Sequence, residues 1–419
     1  MLDSEDEGLP YVNMKSFRKG GGFNPDGLKR FSGSYSQGDL VGESDLLIAN
    51  TDVTAGDIVG VPALLPHELA GKAVLFSHHV TRLRVGNGLS VPFLYYLLCL
   101  PEYRSQMLRV ARGTTVLMLD MHALGRIPVR APLKEAEQRR IAEILSTVDE
   151  AIGQTERLIT KTQNLKAGLM HDLFTRGVLP DGRLRPPREE APELYQESVL
   201  GWIPVGWGCE KLGRILERCG GYLQTGPFGS QLHAHEYQTE GVPVVMPQDI
   251  NDGRIATHQI AKITEERAQI LARHRMRPGD IVIARRGDLS RASAINNAEQ
   301  GWVCGTGCFL LRLGQGSLRS EFASYVYRHH LIQRQIVGRA VGTTMPSLNN
   351  SVMAGLWFPF CDEQEQLRIV ERLDAAERQA SGLIKYSDEM RKLKAGLMHD
   401  LLIGHSPEIA ILENGAMLS

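Results

Sequence analysis

Hydrophobic positions recur in alternating steps of four and three along two stretches of this chain. The first places Ile141, Leu145, Val148, Ile152, Thr155 and Ile159 on one seam. The second places Ile369, Leu373, Ala376, Ala380, Leu383, Ser387 and Met390 on another. This spacing is the heptad of a coiled coil. Leu165, Leu169 and Leu173 extend the first stretch in steps of four, as Leu393, Leu397 and Leu401 extend the second. No proline interrupts 134–173, and its only glycines are Gly153 and Gly168. A helix of about 40 residues spans ~60 Å at 1.5 Å per residue. It needs a partner along its length, and the pattern predicts that the two helices pair with each other, antiparallel, through Ile141, Leu145, Val148, Ile152 and Leu169 on one side and Ile369, Leu373, Ala376, Ala380 and Leu397 on the other.

The two stretches are copies. Leu165-Lys-Ala-Gly-Leu-Met-His-Asp-Leu173 returns as Leu393-Lys-Ala-Gly-Leu-Met-His-Asp-Leu401. At the same offset of 228 residues, Glu137-Gln138-x-Arg140-Ile141 returns as Glu365-Gln366-x-Arg368-Ile369, and Gly113-Thr-Thr115 matches Gly342-Thr-Thr344 at nearly that offset. Such a repeat organises the whole chain. The shared Gly168 and Gly396 read as points of close helix–helix approach. His171 and His399 have no second ligand at helical spacing, and a histidine near a helix C-terminus suits the dipole.

Before each helix, short β-like runs alternate with turns. In the second segment these are Val242–Met246, Asp280–Ala284, Trp302–Val303 and Cys308–Leu313, with a helix expected over Glu321–Val337. In the first, Gly8–Val12 parallels Gly241–Val245, Asp45–Ala49 parallels Asp280–Ala284, and Phe93–Leu108 parallels the helix. The loops between these anchors diverge, which suggests one scaffold carrying two specificities. The pattern divides the chain into a first mixed domain (1–128), a helical region (129–178), a Pro- and Gly-rich linker (179–207), a second mixed domain (208–359), a second helical region (360–404) and a tail (405–419).

Composition narrows the function. The chain of 419 residues carries 47 Lys plus Arg against 48 Asp plus Glu, which excludes a uniformly cationic protein but not a local basic surface. There is no apolar run long enough for a membrane span, and the acidic N-terminus lacks the apolar region of a secretory signal. Six scattered cysteines fit a reducing cytoplasm. The strongest charge signal is the run from Arg273 to Arg291, with Arg285 and Arg286 directly after a strand. Arginine suits bidentate contact with guanine and with phosphate. The polar loop Thr225-Gly-Pro-Phe-Gly-Ser-Gln-Leu-His233 offers amides and hydroxyls to a phosphate backbone. No phosphate-binding G-x-x-x-x-G-K-[ST] loop occurs, Asn24-Pro-Asp-Gly27 reads as a turn, and Cys304-x-x-x-Cys308 lacks a companion pair for zinc. No nucleophile–base set is visible, so binding is expected rather than catalysis.

Two divergent segments, each followed by an E-Q-x-x-I…L-K-x-G-L-x-x-x-L helix, resemble the specificity subunit of type I restriction–modification systems. The Thr225–Leu232 loop followed by Gly241-Val-Pro-Val-Val245, the run Pro278-Gly-Asp-Ile-Val-Ile-Ala284 and Gly342-Thr-Thr344 add to the likeness, which covers nearly the whole chain. The resemblance implies a mixed α/β fold of two target-recognition domains with mixed sheets, separated by two long antiparallel coiled-coil helices. It implies that each domain reads half of a bipartite sequence in double-stranded DNA, with the helices as a ruler. It further implies a non-catalytic chain without cofactor or metal. Its partners would be two methyltransferase subunits using S-adenosylmethionine, and restriction subunits using ATP and Mg2+. The candidate DNA contacts are Thr225, Gly226, Phe228, Ser230, Gln231, His233, Tyr237, Arg254, Arg285, Arg286 and Arg291 in the second domain, and Lys15, Arg18, Lys19 and Asn50 in the first. An alternative is a scaffold that pairs subunits without reading DNA. Aligning Gly8 with Gly241 sets Met1 opposite Ala234, so the first domain is expected to lack a strand and the glycine-rich loop, and to be an incomplete reader prone to aggregation.

Overall fold

A computed structural model describes residues 8–42, 45–54, 56–86, 88–316, 318–339, 347–403 and 409–410. The Gly342-Thr-Thr344 motif lies outside them. The chain divides into two compact units, 1–158 with 383–419, and 159–382. Each therefore combines one sheet-bearing segment with half of each long helix. Among the described residues no helix is long and apolar enough to cross a membrane.

In the first unit, β1 (Leu9–Val12) runs antiparallel to β2 (Lys29–Phe31), and β3 (Asp45–Ala49) pairs antiparallel with β4 (Pro62–Ala63). Strand β5 (Leu75–Phe76) lies parallel to β1, and β6 (Val80–Arg84) antiparallel to β3. All five residues of β3 are buried: the apolar run Leu46–Ala49 requires it, and the Asp45 carboxylate at its start meets Arg82 at 3.3 Å. The predicted helix over Phe93–Leu108 is two helices, α1 (Val91–Cys99) and α2 (Pro101–Val110), because Leu100 precedes a proline and turns extended. The long helix α3 (Glu135–Arg176) follows.

The second unit repeats this plan. After a hairpin of Tyr195–Ser198 with Gly201–Pro204, strand β7 (Gly208–Lys211) and then β8 (Tyr222–Thr225) begin its sheet-bearing segment. Strand β9 (Val242–Val245) is antiparallel to β10 (Ala261–Ile263). The sheet around β11 (Asp280–Ala284) takes β12 (Ala292–Ala294) on one side. Strand β13 (Val303–Cys304) lies parallel to β9, and β14 (Cys308–Arg312) separates β11 from β8. The predicted helix over Glu321–Val337 is likewise broken, into α4 (Ser320–Arg328) and α5 (His330–Val337), at extended His329, the counterpart of Leu100. Strand β15 (Trp357–Phe360) pairs with β7 and leads into α6 (Glu363–Leu402). In the first unit β6 has β3 as its only strand partner among the described residues, so the position β8 holds beside β14 has no counterpart. Val129–Arg130, the counterpart of β15, pairs instead with Ile409–Ala410.

The repeated Glu-Gln has a mechanical meaning. In the first unit Gln138 Oε1 accepts from Ser90 N (2.8 Å), at the start of α1, while its Nε2 donates to the Gly88 and Pro132 carbonyls (2.9 and 2.7 Å). In the second, Gln366 Oε1 accepts from Arg319 N (2.9 Å), at the start of α4, and Nε2 donates to the Cys361 carbonyl (2.8 Å). Each buried glutamine thus ties the short helices to the long one. Residues 179–207, expected as a linker, are folded: Glu365 accepts from Val178 N at 2.7 Å and from both Arg185 terminal nitrogens at 2.5 and 3.1 Å. Gly177 ends α3 at φ +65°, and a Cβ there would sit 2.3 Å from Glu365 Oε1, so both backbone and space demand glycine.

The heptad seam holds within each unit. Ile141, Leu145 and Ile152 are buried in the first, as are Ile369, Leu373 and Ala380 in the second, while Val148, Leu169, Ala376 and Leu397 are half-buried. Leu145 shares a core cluster with Met398 and Leu402, and Leu173 with Ile369 and Leu373, so the run is antiparallel in both units. Two expectations fail. Leu165 is 63% and Leu393 51% exposed. The seam keeps its alternating step and passes through the next residues, Lys166 and Lys394. Lys166 Nζ meets buried Glu377 at 3.1 Å in the second unit, and Lys394 Nζ meets Asp149 at 2.7 Å in the first. Glu377 and Asp149 are related by the repeat offset, so these are one interaction made twice. A charged pair inside a seam sets register at some cost in stability. Gly168 and Gly396, read as points of close approach, are exposed and face solvent: a Cβ at either position would meet nothing within 4 Å.

Candidate nucleic-acid interface

The ends of the β11 sheet sort the arginine run. Strand β8 ends at Thr225 opposite Phe309, and β11 ends at Ala284 opposite Cys308. The glycine-rich loop and Arg285–Arg286 therefore leave the sheet at the same end. Gly226 N donates to the Cys308 carbonyl, Thr306 Oγ1 to the Pro227 carbonyl, and Arg285 N to the Gly307 carbonyl, which closes this end into one surface. Arg291 joins it, since its carbonyl accepts from Ala284 N. Arg273, Arg275 and Arg277 lie at the opposite end with Arg312 and Tyr222, lining a cleft of about 690 Å³. The two groups are separated by the length of β11, roughly 16 Å at 3.3 Å per residue.

Partners decide which arginines are free. Arg275 Nη2 donates to both Glu265 oxygens (2.7 and 2.8 Å), and Arg312 is bidentate to Asp280 through Nε and Nη2 (2.6 and 2.5 Å). Arg291 meets Asp288 at 3.1 Å, the Pro247 and Gln248 carbonyls at 3.3 Å, and Asn251 Oδ1 at 3.2 Å, so it builds the fold. Among the described residues no carboxylate pairs with Arg285 or Arg286. Arg285 is half-buried and its Nε is buried without an acceptor, while Arg286 is exposed. Burial and the adjacent Arg286 charge lower the Arg285 pKa. Two neighbouring cations with an unmet donor call for an external acceptor.

The loop is more ordered than its composition suggests. Gly226 is buried, and a Cβ there would lie 2.0 Å from the Gly305 carbonyl oxygen, so this glycine serves a close approach inside the protein rather than to a ligand. Gln231 Oε1 accepts from Phe228 N (3.0 Å), the Phe228 carbonyl accepts from Gln231 N, and the Gln231 carbonyl accepts from Arg267. This self-capped turn leaves the Phe228 ring 56% exposed, with Ser230, Gln231 and His233 beside it. Thr225 and Tyr237 are half-buried, and Arg254 is exposed on the hairpin whose Asn251 receives Arg291.

The first unit has the same frame with different side chains. Asn50 follows β3 as Arg285 follows β11. Asn50 N donates to the His79 carbonyl and its own carbonyl accepts from Leu119 N, as Arg285 N donates to the Gly307 carbonyl and its carbonyl accepts from Leu348 N. Asn50 Oδ1 is also buried without a donor. Lys15 and Arg18 are exposed, whereas Lys19 is taken by Asp57 at 2.5 Å. Among the described residues the first unit has no counterpart of the Thr225–His233 loop.

His274, inside the arginine run, points inward and is 1% exposed with neither ring nitrogen hydrogen-bonded. Burial, and secondarily the Arg273 charge, lower its pKa from 6.5 to about 4. The folded state holds it neutral. Its contribution is complete above pH 6.5 and is lost as pH falls from 6.5 towards 4, because the unfolded chain takes up the proton first. Relative to His274→Phe, wild type should lose on the order of 3 kcal/mol of unfolding free energy over that interval. Denaturant titrations at several pH values check this, and parallel curves for the two proteins would contradict it.

Residues 2–163 match the profile of the type I restriction modification DNA specificity domain. The chain is also 24% identical over 416 residues to the type I restriction enzyme MjaVIII specificity subunit of Methanocaldococcus jannaschii, covering 96% of this chain and 88% of that one. Over residues 2–163 the chain is thus similar to that domain family, and over nearly its whole length to one specificity subunit. A putative MjaX specificity subunit of the same organism is 22% identical over 215 residues, 50% of this chain and 48% of that one. The crystal structure of the S subunit from M. genitalium shares the fold at a TM-score of 0.59 and 17% identity, covering 98% of this chain and 92% of that chain.

Proposed function

We propose that this chain reads a bipartite sequence in double-stranded DNA, one half with each unit, for a type I restriction–modification complex. The observation that carries the reading is the pair Asn50 and Arg285. Both hold the same backbone hydrogen bonds at the same strand end, each has an unmet polar atom, and the two side chains offer different chemistry. An amide and a guanidinium suit different base edges, adenine and guanine respectively. The chain works in the cytoplasm and without catalysis of its own. It brings two methyltransferase subunits, which use S-adenosylmethionine, and restriction subunits, which use ATP and Mg2+, to the target.

The test uses the complex with methyltransferase subunits. The target is first read from the adenines it methylates in genomic DNA. Binding is then measured on duplexes with each half-site scrambled in turn. Both scrambles should weaken binding, and the half read by the second unit should matter more, since only that unit carries the Thr225–His233 loop among the described residues. Affinity indifferent to both scrambles would overturn DNA reading. Equal losses would overturn the asymmetry alone.

A further inference from the structure

The histidine in the repeated Lys-Ala-Gly-Leu-Met-His-Asp has different surroundings in the two copies. In the second unit, His171 on α3 meets His329 and His330, which form the elbow between α4 and α5. One ring nitrogen from each of the three lies within 4.8 Å of the other two. The His171 and His330 ring centroids are 5.4 Å apart, and those of His329 and His330 4.1 Å. The repeat places Leu100 and Pro101 at the equivalent elbow of the first unit, so the partners of His171 have no histidine counterparts there.

We propose that His171, His329 and His330 form a site for a divalent late first-row cation, zinc foremost, that clamps α3 to the α4–α5 elbow. Three imidazoles are a ligand set that suits zinc, with solvent in the fourth position. Tetrahedral zinc at 2.0–2.1 Å from each nitrogen sets the nitrogens about 3.3 Å apart. The three must therefore close by at most roughly 1.5 Å, within reach of a small turn of the exposed His171 and His330 rings. His329 is 2% exposed, and its Nε2 is buried with no hydrogen-bond partner. Its Nδ1 has only a long contact, 3.4 Å, with Leu331 N. Ligation through Nε2 puts the ring proton on Nδ1 and gives up that weak contact, while the cation satisfies the otherwise orphaned nitrogen. Arg334 is the nearby opposing charge, and its guanidinium donates to the Leu200 carbonyl.

The experiment titrates the untagged full chain, freed of metal by chelator, with Zn2+ by calorimetry and with Co2+ by visible absorption. One equivalent should bind, with Co2+ giving the d–d bands of a low-coordinate nitrogen site, and Zn2+ should raise the unfolding temperature. His171→Ala and His330→Ala, at exposed positions, should leave the metal-free unfolding temperature unchanged and each weaken binding by about 10–100-fold or more, at least the loss seen for second-shell changes. His399→Ala, in the other copy of the repeat, should bind as wild type does. Absence of a bound equivalent in wild type overturns the proposal. So does retention of that equivalent in the His171→Ala/His330→Ala double variant.

Discussion

Leu373→Asp should lose on the order of 5 kcal/mol of stability, enough to leave 159–382 largely unfolded at 37 °C. Leu373 is fully buried, in the core cluster that also holds Leu173, Ile369 and the α4 aromatics Phe322 and Tyr325. Truncating a buried leucine costs about 2–5 kcal/mol by lost transfer and cavity. An unpaired carboxylate there adds a desolvation penalty, against a total stability of about 5–15 kcal/mol. Leu145→Asp should act equally on the first unit, where Leu145 is fully buried. The repeat supplies matched controls: Leu165→Asp and Leu393→Asp introduce the same charge on the same two helices, at positions that face solvent. These should stay within about 0.5 kcal/mol of wild type. Thermal or urea unfolding of the four variants separates the pairs. Similar losses from Leu165→Asp and Leu373→Asp would refute this seam.

Arg285→Ala/Arg286→Ala should abolish most sequence-specific binding in the assembled complex while the fold survives, because neither guanidinium has a carboxylate partner among the described residues. An arginine that reads a base contributes about 1–3 kcal/mol of discrimination, so its loss relaxes one position of the target. One that only neutralises phosphate weakens all sequences alike and lowers the salt slope by about one. Single variants measured on target and scrambled DNA at several salt concentrations assign these roles. Arg273→Ala is the control, since Arg273 lies with the cleft at the far end of β11. If Arg273→Ala weakened binding as strongly as the double variant, the opposite end of the sheet would be the DNA-facing one. Arg291→Ala should behave differently again, lowering stability through its lost contacts to Asp288, Asn251 and the Pro247 and Gln248 carbonyls.

The sequence by itself determined the duplication, the two long helices, their seam and the buried central strands β3 and β11. These follow from periodicity, which a chain carries locally: a heptad needs a partner helix, and an unbroken apolar run needs cover on both faces. It also marked Glu137-Gln138 and Glu365-Gln366 without revealing why they repeat, since a glutamine that clamps a helix start finds its hydrogen-bond partners 47–50 residues away. Only the tertiary structure decided the rest. It moved the seam from Leu165 and Leu393 to Lys166 and Lys394, because 3.6 residues per turn carries a step-of-four leucine row off the contact face. It divided one arginine run between the two ends of a strand, since residues before and after an extended segment emerge far apart. It turned Gly226 inward against Gly305. And it gave His171 two neighbours that no spacing along α3 predicts, because they arrive from a helix elbow about 160 residues later in the chain.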